Sequence, residues 1–572
     1  MKIRTVEIKK FRSIEYAEVR FDEITAIVGE NNSGKSAIIQ ALSTFFNYDD
    51  IETKKFNDGT HSYTPKSKAI ITVTFGDVPQ QKGYEDYICD GLLTIQFSHT
   101  KNGKKPIIKF KAMNGFQEAS YELVDFVKKS FHFVYIPPIR TASDLQYTET
   151  AILRQLVEAH LEAETKHKDS FTNKFKDAFT FLQKHALSKL TKKLDKASSL
   201  PDELGLQLGF RSDMHYSEYI NDIEVTVQET SQRHNLLNCG TGIQSLTIIS
   251  LYRLLAKLEG KTVFLALEEP ETNLHPHAQR EFIHTIQNDD SNSQLALTTH
   301  STAIIDTLGH KDVMLVKKAP DSKRGFKSNI KQLSSTFFED NNLDSFKYYQ
   351  FHLYRNSEFF YARRVILVES KTDAEILKVI AHNAGIDLGL FGCSIINLDG
   401  VKNLAYPLTI IKELELPYLV IVDKDFFVPY LHNNNAAASK DSNGFPQYGS
   451  NFKETSPVDL LLTDAGDKEQ IRSNFVTNHT KALELLDKYD VISMRYNLET
   501  DLLQSSRALE LICDELELEG DDRNSQHILT TKNLSKKIKN IELLMNVVRN
   551  LNASNYPRSY SRIRRKVMSF QG

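Results

Sequence analysis

Four cysteines in 572 residues leave little room for cysteine chemistry. Cys89, Cys239, Cys393 and Cys513 lie far apart and form no CxxC pair, which argues against a zinc site and a disulfide framework. A reducing cytosol fits that usage, so a cytoplasmic location is expected. Long apolar runs are missing too. None approaches the roughly 20 residues of a membrane-spanning helix, so no membrane partner is expected. The opening Met-Lys-Ile-Arg-Thr-Val-Glu lacks the apolar core of a secretion signal. Basic charge is not in excess: 71 Lys and Arg against 74 Asp and Glu give a net charge of −3. There is no bulk electrostatic draw toward nucleic acid, and any contact with DNA must come from local patches. The remainder, 40% hydrophobic and 25% charged, is an ordinary globular composition. The length allows two to four domains with real cores.

Against that background two groups of residues carry phosphate chemistry. The first is Gly29-Glu30-Asn31-Asn32-Ser33-Gly34-Lys35-Ser36, a GxxxxGK[ST] loop. Its glycines let backbone N–H groups turn toward a phosphate, Lys35 neutralises the β and γ oxygens, and Ser36 ligates Mg²⁺. The context fits. Residues 24–28 read as a buried strand and 36–46 as a helix whose N-terminal end favours anions. Further strands are expected at 3–8, 15–21, 69–76 and 91–98, with Asn102-Gly103 as a hairpin turn before Ile107–Phe110. Val263–Leu267 is an apolar strand ending in Glu268-Glu269. Glu268 is expected to position Mg²⁺ and Glu269 to polarise the attacking water. Leu297-Thr298-Thr299-His300-Ser301 ends a strand with a histidine suited to sensing a γ-phosphate. Gly240-Thr241-Gly242-Ile243-Gln244-Ser245 opens a helix running from about 243 to 258, and could grip a phosphate supplied by a second subunit.

The second group is acidic. The strand Arg364–Val368 ends in Glu369, and Asp373 follows inside an expected helix, Thr372–His382. Phe391–Asn397 and Pro417–Val422 read as strands, the latter ending in Asp423-Lys424-Asp425. Alternation in an extended segment would send Asp423 and Asp425 to one face. Acids at the C-terminal ends of parallel strands line a crevice. Clustered like charges need a cation to stay ionised, and hard divalent ions prefer such oxygen ligands. Two ions could stabilise the attacking and leaving oxygens of phosphodiester cleavage. Glu499 is the best later acid for a second metal and Asp501 the runner-up. Lys532 and Lys536 are candidates for a phosphate-stabilising lysine.

Three stretches stand apart. Phe171, Phe175, Ala178 and Leu182 share a helical face, amid Lys166, Lys168, Lys174, Lys176, Lys184, Lys189, Lys192, Lys193 and Lys196. That pattern is a solvated helical insertion or, more sharply, a dimerisation arm or DNA-facing surface. Residues 432–454, rich in Asn, Ala, Ser and Gly, read as a mobile loop. Tyr556–Lys566 interleaves Arg558, Arg562, Arg564, Arg565 and Lys566 with Tyr556 and Tyr560, either a solvated tail or a nucleic-acid-binding surface.

The order of P-loop, Gly240–Ser245, Glu268-Glu269 and His300 resembles an ABC-type ATPase of the SMC/RecF kind, as does Phe11-Arg12-Ser13-Ile14. The resemblance makes Gly240–Ser245 the signature motif, Asn273-Leu274 the D-loop region and His300 the switch histidine. It implies a homodimer or higher homo-oligomer. The strand-Glu then strand-Asp-x-Asp order resembles a TOPRIM domain, with Ser370 where a glycine is often found. The combination, with Glu268–Pro276 as its most specific token, is similar to the OLD (overcoming lysogenisation defect) family, which includes the Gabija anti-phage nuclease subunit. The expected fold class is α/β. An ABC-type P-loop ATPase domain would occupy 1–150 and 231–355, with a helical insertion at 151–230. A TOPRIM domain with a C-terminal helical and basic segment would occupy 356–572. Membership implies an ATP-controlled DNA endonuclease using Mg²⁺ or Mn²⁺, active in phage defence and often beside a helicase-like partner protein. The rival expectation is an ATP-switched DNA-binding or repair clamp that does not cut.

Overall fold

The structure is a computed structural model that describes residues 1–47, 62–64, 67–79, 85–98, 106–119, 121–136, 142–163, 223–229, 232–272, 274–288, 293–345, 357–432 and 434–571, with parts of 170–191. The chain divides into two compact units, Met1–Ile330 and Lys331–Gly572.

The first unit opens with β1 (Lys2–Phe11), β2 (Ile14–Arg20), β3 (Ile24–Gly29) and α1 (Lys35–Phe46). Next come β4 (Ile70–Gly76), β5 (Ile88–Cys89), β6 (Leu92–Ser98), β7 (Ile107–Ala112), β8 (Gly115–Glu118) and β9 (Phe131–Ile136). The helix α2 (Ala142–Ala163), the hairpin β10 (Thr226–Glu229) and β11 (Gln232–Asn235), and α3 (Thr241–Glu259) follow. The unit closes with β12 (Thr262–Glu268), α4 (Pro276–Gln287), β13 (Ser293–Thr298), β14 (Val313–Asp321) and β15 (Gly325–Gln332).

Hydrophobic patterning sorts these strands into two sheets. In β1 and β2 Val6, Ile8, Phe11, Ile14, Ala17 and Val19 are buried while the polar residues among them are not. Such strands keep one face in water. They form an antiparallel sheet in the order β2-β1-β4-β6-β7-β8, with β5 on β6. Strands β3 and β12, by contrast, are buried at every position, the signature of strands covered on both faces. They sit inside the second sheet, ordered β15-β14-β3-β13-β12-β9, where the β14-β3, β3-β13, β13-β12 and β12-β9 pairings are parallel. One core joins the sheets through α1. Ile38, Ile39 and Leu42 pack with Ile3, Ile71, Phe75, Phe131 and Phe264. Phe46 lies between Phe131 and Phe133 at 5.1 and 4.9 Å.

The hairpin expected at Asn102-Gly103 has its two arms, β6 and β7, paired antiparallel from Ile95↔Phe110 to Ser98↔Ile107. The turn itself lies outside the described residues. So do Phe171, Phe175, Leu182, Lys166, Lys168, Lys192, Lys193 and Lys196, whereas Ala178, Lys174, Lys176, Lys184 and Lys189 are exposed.

The second unit is a smaller α/β sandwich. Its strands are β16 (Arg364–Val368), β17 (Cys393–Asn397), β18 (Tyr418–Val422) and β19 (Val491–Ser493), all parallel in the order β17-β16-β18-β19. Helices α5 (Lys371–Asn383), α6 (Leu498–Leu502) and α7 (Arg558–Met568) bury Ile376, Ile380, Leu502, Tyr560, Ile563 and Val567 in one core. All four cysteines are free. Among the described residues no helix is long and apolar enough to cross a membrane.

Two nucleotide and acid sites at strand ends

In the first unit the P-loop follows β3. Ser33 N–H donates to Glu30 O at 3.3 Å, and Asn32 and Gly34 adopt left-handed backbone at φ 59° and 107°. That alternation turns successive N–H groups inward to make an anion cradle. Two glycines are there for space. A Cβ on Gly29 would stand 2.0 Å from Val316 O, and one on Gly34 would stand 2.1 Å from Ser328 Oγ. Lys35 is buried, and its Nζ donates to Gly29 O and Glu30 O at 3.0 Å each. Burial pulls the Lys35 pKa down, against the pull of Glu269 and Glu268.

Glu268 ends β12, and its Oε2 accepts from Ser36 Oγ at 3.1 Å. Its Oε1 accepts from Tyr135 at 3.2 Å, and burial above all raises its pKa. Glu269 takes a left-handed conformation at φ 47°, costly for a non-glycine residue. Its N–H donates to Thr298 O at 3.0 Å, and the residue lines the cavity over the P-loop. That cavity, about 820 Å³, is also lined by Arg12, Asn31, Lys35, Arg324 and Phe326.

His300 follows β13, and partial burial and the Lys35 charge hold its imidazole below its usual pKa. Glu271 fixes it there, since Oε1 accepts from His300 N–H at 2.7 Å and Thr299 Oγ at 2.8 Å. Gly240 and Gly242 open the α3 region, where Gln244 Nε2 donates to Leu237 O and Cys239 O at 3.1 and 2.9 Å. None of the described residues lining the P-loop cavity comes from 240–245.

The site fits a nucleoside triphosphate with its cation. Ser33 Oγ is buried without a partner, the cradle closes if either glycine gains a Cβ, and Ser36 and Glu268 already meet.

Sequence reasoning missed Arg12, Arg324, Phe326 and Glu271. The first three come from the β1–β2 connection and the β14–β15 hairpin, the second of which lies outside the motifs read from the sequence. The apolar Val313–Val316 run and the Lys323-Arg324-Gly325 turn were the available signal for that hairpin.

In the second unit the carboxylates collect at the C-terminal ends of neighbouring strands. Glu369 follows β16 and Asp423 follows β18, and Asp423 N–H donates to Glu369 Oε2 at 3.4 Å. The pair does not continue as an extended segment, as alternation had suggested. Lys424–Phe426 form a 3₁₀ turn, and the turn places Asp425. Asp373 is the third residue of α5 in a capping box. Its Oδ2 accepts from Ser370 N–H at 2.8 Å and Ser370 Oγ at 2.7 Å. Ser370, in place of a glycine, is the helix cap. Asn497 caps α6 by accepting from Thr500 N–H at 2.9 Å, and the buried Tyr560 hydroxyl donates to Leu498 O at 3.0 Å. Those bonds hold Glu499 where its charge acts on Asp373 and Asp423.

The electrostatic consequence is marked. Burial and then Asp425 push Glu369 up to about 7. Burial, then Glu369, Asp373, Glu499 and Asp425, hold Asp423 far above the ordinary carboxylate range. Asp425 is raised chiefly by burial. Asp501 has another task, accepting from Arg495 and Tyr496 N–H at 2.9 Å each. The donor set is all oxygen and suits a hard divalent ion. As the side chains stand, no group of three or more His, Cys, Asp or Glu among the described residues is disposed to hold a metal.

The expected lysines, Lys532 and Lys536, form no ion pair with the acids among the described residues. Both are exposed on a short helix. Lys453 instead donates to Asp425 O and its charge lowers Glu369 and Asp425. Lys539 pairs with Glu499 at 3.4 Å.

Lys453 lies in the stretch expected as a mobile loop at 432–454, whose residues 434–454 are folded by backbone pairings. Leu431 N–H donates to Gln447 O, Gln447 N–H to Ser439 O, and Lys453 N–H to Phe427 O, at 3.0, 2.8 and 2.7 Å. The basic C-terminal stretch is likewise a packed helix, α7, with Arg562 on Asp487 and Lys566 on Asp490.

The AAA ATPase domain family matches residues 1–139 and 93–305, together more than half of the chain. The TOPRIM domain of the overcoming-lysogenization-defect-like family matches residues 360–425. An OLD nuclease from Thermus scotoductus is 22% identical over 74% of this chain and 82% of its own length. The Old nuclease of Escherichia phage P2 is 21% identical over 74% and 78%. Endonuclease GajA from Bacillus cereus is 25% identical over 42% of this chain and 38% of its own. The chain belongs to the AAA ATPase domain family, and it carries an OLD-like TOPRIM domain behind that ATPase.

Proposed function

We propose that this chain is a divalent-metal-dependent DNA endonuclease governed by ATP and working in anti-phage defence. The observation that carries the reading is the set of Glu369, Asp373, Asp423, Asp425 and Glu499 gathered at neighbouring strand ends, where burial and then mutual repulsion raise Glu369 to about 7 and hold Asp423 well above the ordinary carboxylate range. A structural role does not call for such a concentration of charge at strand ends, where acid sites of α/β folds lie. Nuclease relatives of both matched domains are in keeping with it.

Glu369, Asp373, Asp423, Asp425 and Glu499 are the residues that would hold the cation. A bound divalent ion, Mg²⁺ or Mn²⁺, supplies neutralisation of the charge that develops on phosphodiester cleavage. Lys453 adds fixed positive charge beside Asp425. The Ser370 capping bonds keep Asp373 from swinging away. In the first unit Ser36 and Glu268 would hold the Mg²⁺ of ATP. Lys35 would exchange its carbonyl partners for phosphate oxygens, Glu269 would orient the attacking water, and His300, steadied by Glu271, would face the γ-phosphate. Among the described residues, the 240–245 segment at the start of α3 contributes none to the lining of the P-loop cavity of its own chain, and it would complete a site in a second copy, so a homodimer or larger is part of the proposal.

A second reading has its own support. The Asp373 carboxylate is engaged in capping, and no ready three-carboxylate cage is present among the described residues, as suits a clamp that binds DNA without cutting. Plasmid and linear DNA cleavage with Mg²⁺ or Mn²⁺, with and without ATP, separates the two. Loss of cutting in Asp423→Ala, and a changed response to ATP in Lys35→Ala, are expected. Cutting that survives Asp423→Ala would sink the metal assignment. No cutting under any condition, with ATP hydrolysis intact, would favour the clamp.

A further inference from the structure

Beside the acids of the second unit lies a stack of tyrosines that neither the metal nor the fold explains. Tyr430 and Tyr448 face each other across an isolated antiparallel bridge. Their rings stack at 5.1 Å and 22°. Tyr496, from the segment before α6, continues the stack at 6.5 Å and 25° from Tyr448. Phe445 lies 5.4 Å beyond it. Two cations lie against the rings: Lys424 Nζ is 4.8 Å from the Tyr448 centroid and the exposed Arg495 guanidinium 5.6 Å from that of Tyr496. The other end of the ladder has no ring on it, since among the described residues only Tyr448 stacks on Tyr430. Tyr430 is only half-buried, and the charges of Asp425, Asp423 and Glu369 reach its hydroxyl.

An aromatic core has no use for an exposed arginine and a lysine laid on its rings. A nucleic-acid track has. Base stacking on aromatic faces is sequence-tolerant, and flanking cations neutralise the backbone. The whole chain carries no excess of positive charge to draw DNA, so a local device is required.

We infer that Tyr430, with Tyr448, Tyr496, Lys424 and Arg495, forms a platform that stacks an unpaired base of a DNA strand and leads its backbone to the acid crevice. The substrate class is therefore DNA with unstacked nucleotides at the cutting point, such as single strands, frayed ends or flaps. A continuous duplex keeps its bases stacked inside and cannot use the Tyr430 face. The inference rests on the nuclease reading for its purpose, though not for its binding chemistry.

Binding of a labelled single-stranded oligonucleotide and of the matching blunt duplex to the full chain in EDTA tests it by fluorescence anisotropy. Tyr430→Leu should weaken single-strand binding by about tenfold and leave duplex binding within about twofold. Tyr430→Phe should bind as the parent does, because the ring and not the hydroxyl stacks. Should Tyr430→Leu fail to fold by thermal melting, Arg495→Ala, an exposed change, should still weaken single-strand binding and flatten its salt dependence. Unchanged single-strand affinity in the folded variants, or equal losses on both DNAs, would overturn the platform. Parallel Mg²⁺ cleavage by the parent keeps the readings apart. Selective loss of binding without any cleavage would leave the platform and remove the nuclease, and cleavage with unchanged binding would do the reverse.

Discussion

Replacing Asp423 by asparagine should stabilise the metal-free protein while abolishing its response to Mg²⁺. Among the described residues none donates a hydrogen bond to the Asp423 carboxylate, since the bond to Glu369 uses its backbone N–H, and asparagine keeps that bond and nearly the same shape. What it removes is the requirement that folding bring an ionised carboxylate of the unfolded chain among Glu369, Asp373, Glu499 and Asp425. Glu369 gives the scale. A shift from 4.5 to about 7 corresponds to ~3 kcal/mol at neutral pH. Burial and the same neighbours push Asp423 in the same direction, so the asparagine variant should melt higher, each 1 kcal/mol shifting a domain of this size by roughly 2–4 °C.

The sign with pH follows from the raised carboxyl pKa. The penalty sets in where the unfolded carboxyl is ionised and the folded one resists, so it grows as pH rises above the usual carboxyl value and is complete only above the raised folded-state pKa. It fades as pH falls toward ~4, the usual carboxyl value. The gap between variant and parent should therefore close on acidification. Thermal melts in EDTA and in Mg²⁺, at neutral and acid pH, measure all three quantities. The parent should gain stability from Mg²⁺ by mass action and the variant should not. An asparagine variant that melts lower than the parent in EDTA would refute the electrostatic account of the crevice.

Gly34→Ala should abolish the thermal stabilisation given by ATP, because its φ of 107° and the 2.1 Å approach to Ser328 Oγ leave no place for a methyl group; differential scanning fluorimetry reads it. Gly444→Ala, at φ 83° with a Cβ 2.7 Å from that of Leu529, should cost roughly 1–3 kcal/mol in urea unfolding and raise hydrogen exchange in 430–453. His479, half-buried with an unpartnered Nε2, is pushed down to about 3 by burial and the charges of Lys424, Arg495 and Arg562. Its contribution is intact above about pH 6.5 and is lost as pH falls. His479→Leu should thus lose about 2 kcal/mol less than the parent between pH 7 and 4 in paired urea melts.

How much of this was legible in sequence depended on whether neighbours in space were neighbours in the chain. The P-loop, Glu268 and Glu269 were readable because each follows a fully apolar strand, and a buried parallel strand must expose its next polar residue at the sheet edge. Glu369 and Asp423 were readable for the same reason. Asp425 was placed by a 3₁₀ turn, which leaves no two-residue period to detect. Lys453 reaches the acids through a segment whose Asn, Ser and Gly content looks like loose loop. Its order comes from pairings between residues such as Leu431 and Gln447, and such pairings have no local signature. Arg324 and Phe326 were missed because the β14–β15 hairpin is polar at its tip. The C-terminal basic stretch deceived in the opposite direction. Arg562 and Lys566 are committed to Asp487 and Asp490, and the apolar face of α7, with Tyr560, Ile563 and Val567, is core.

Both units meet the same physical problem in opposite senses. At the P-loop, backbone N–H groups and Lys35 gather positive potential that Glu268, Glu269 and Glu271 partly balance, and Glu269 holds a strained backbone to do so. At the crevice the acids gather negative potential that Lys453 and Lys539 balance only in part. Burial is what gives either arrangement its force, because exposed charges at these separations would be screened. Each strand therefore has to be apolar to its last residue, as β3, β12, β16 and β18 very nearly are. A polar residue inside Val365–Val368 would weaken the core, and would also let water reach the base of the crevice and lower the carboxyl pKa values. On this reasoning Ile366→Thr should cut metal affinity even where the domain stays folded, since the acids would lose the low-dielectric floor that makes a divalent cation worth binding.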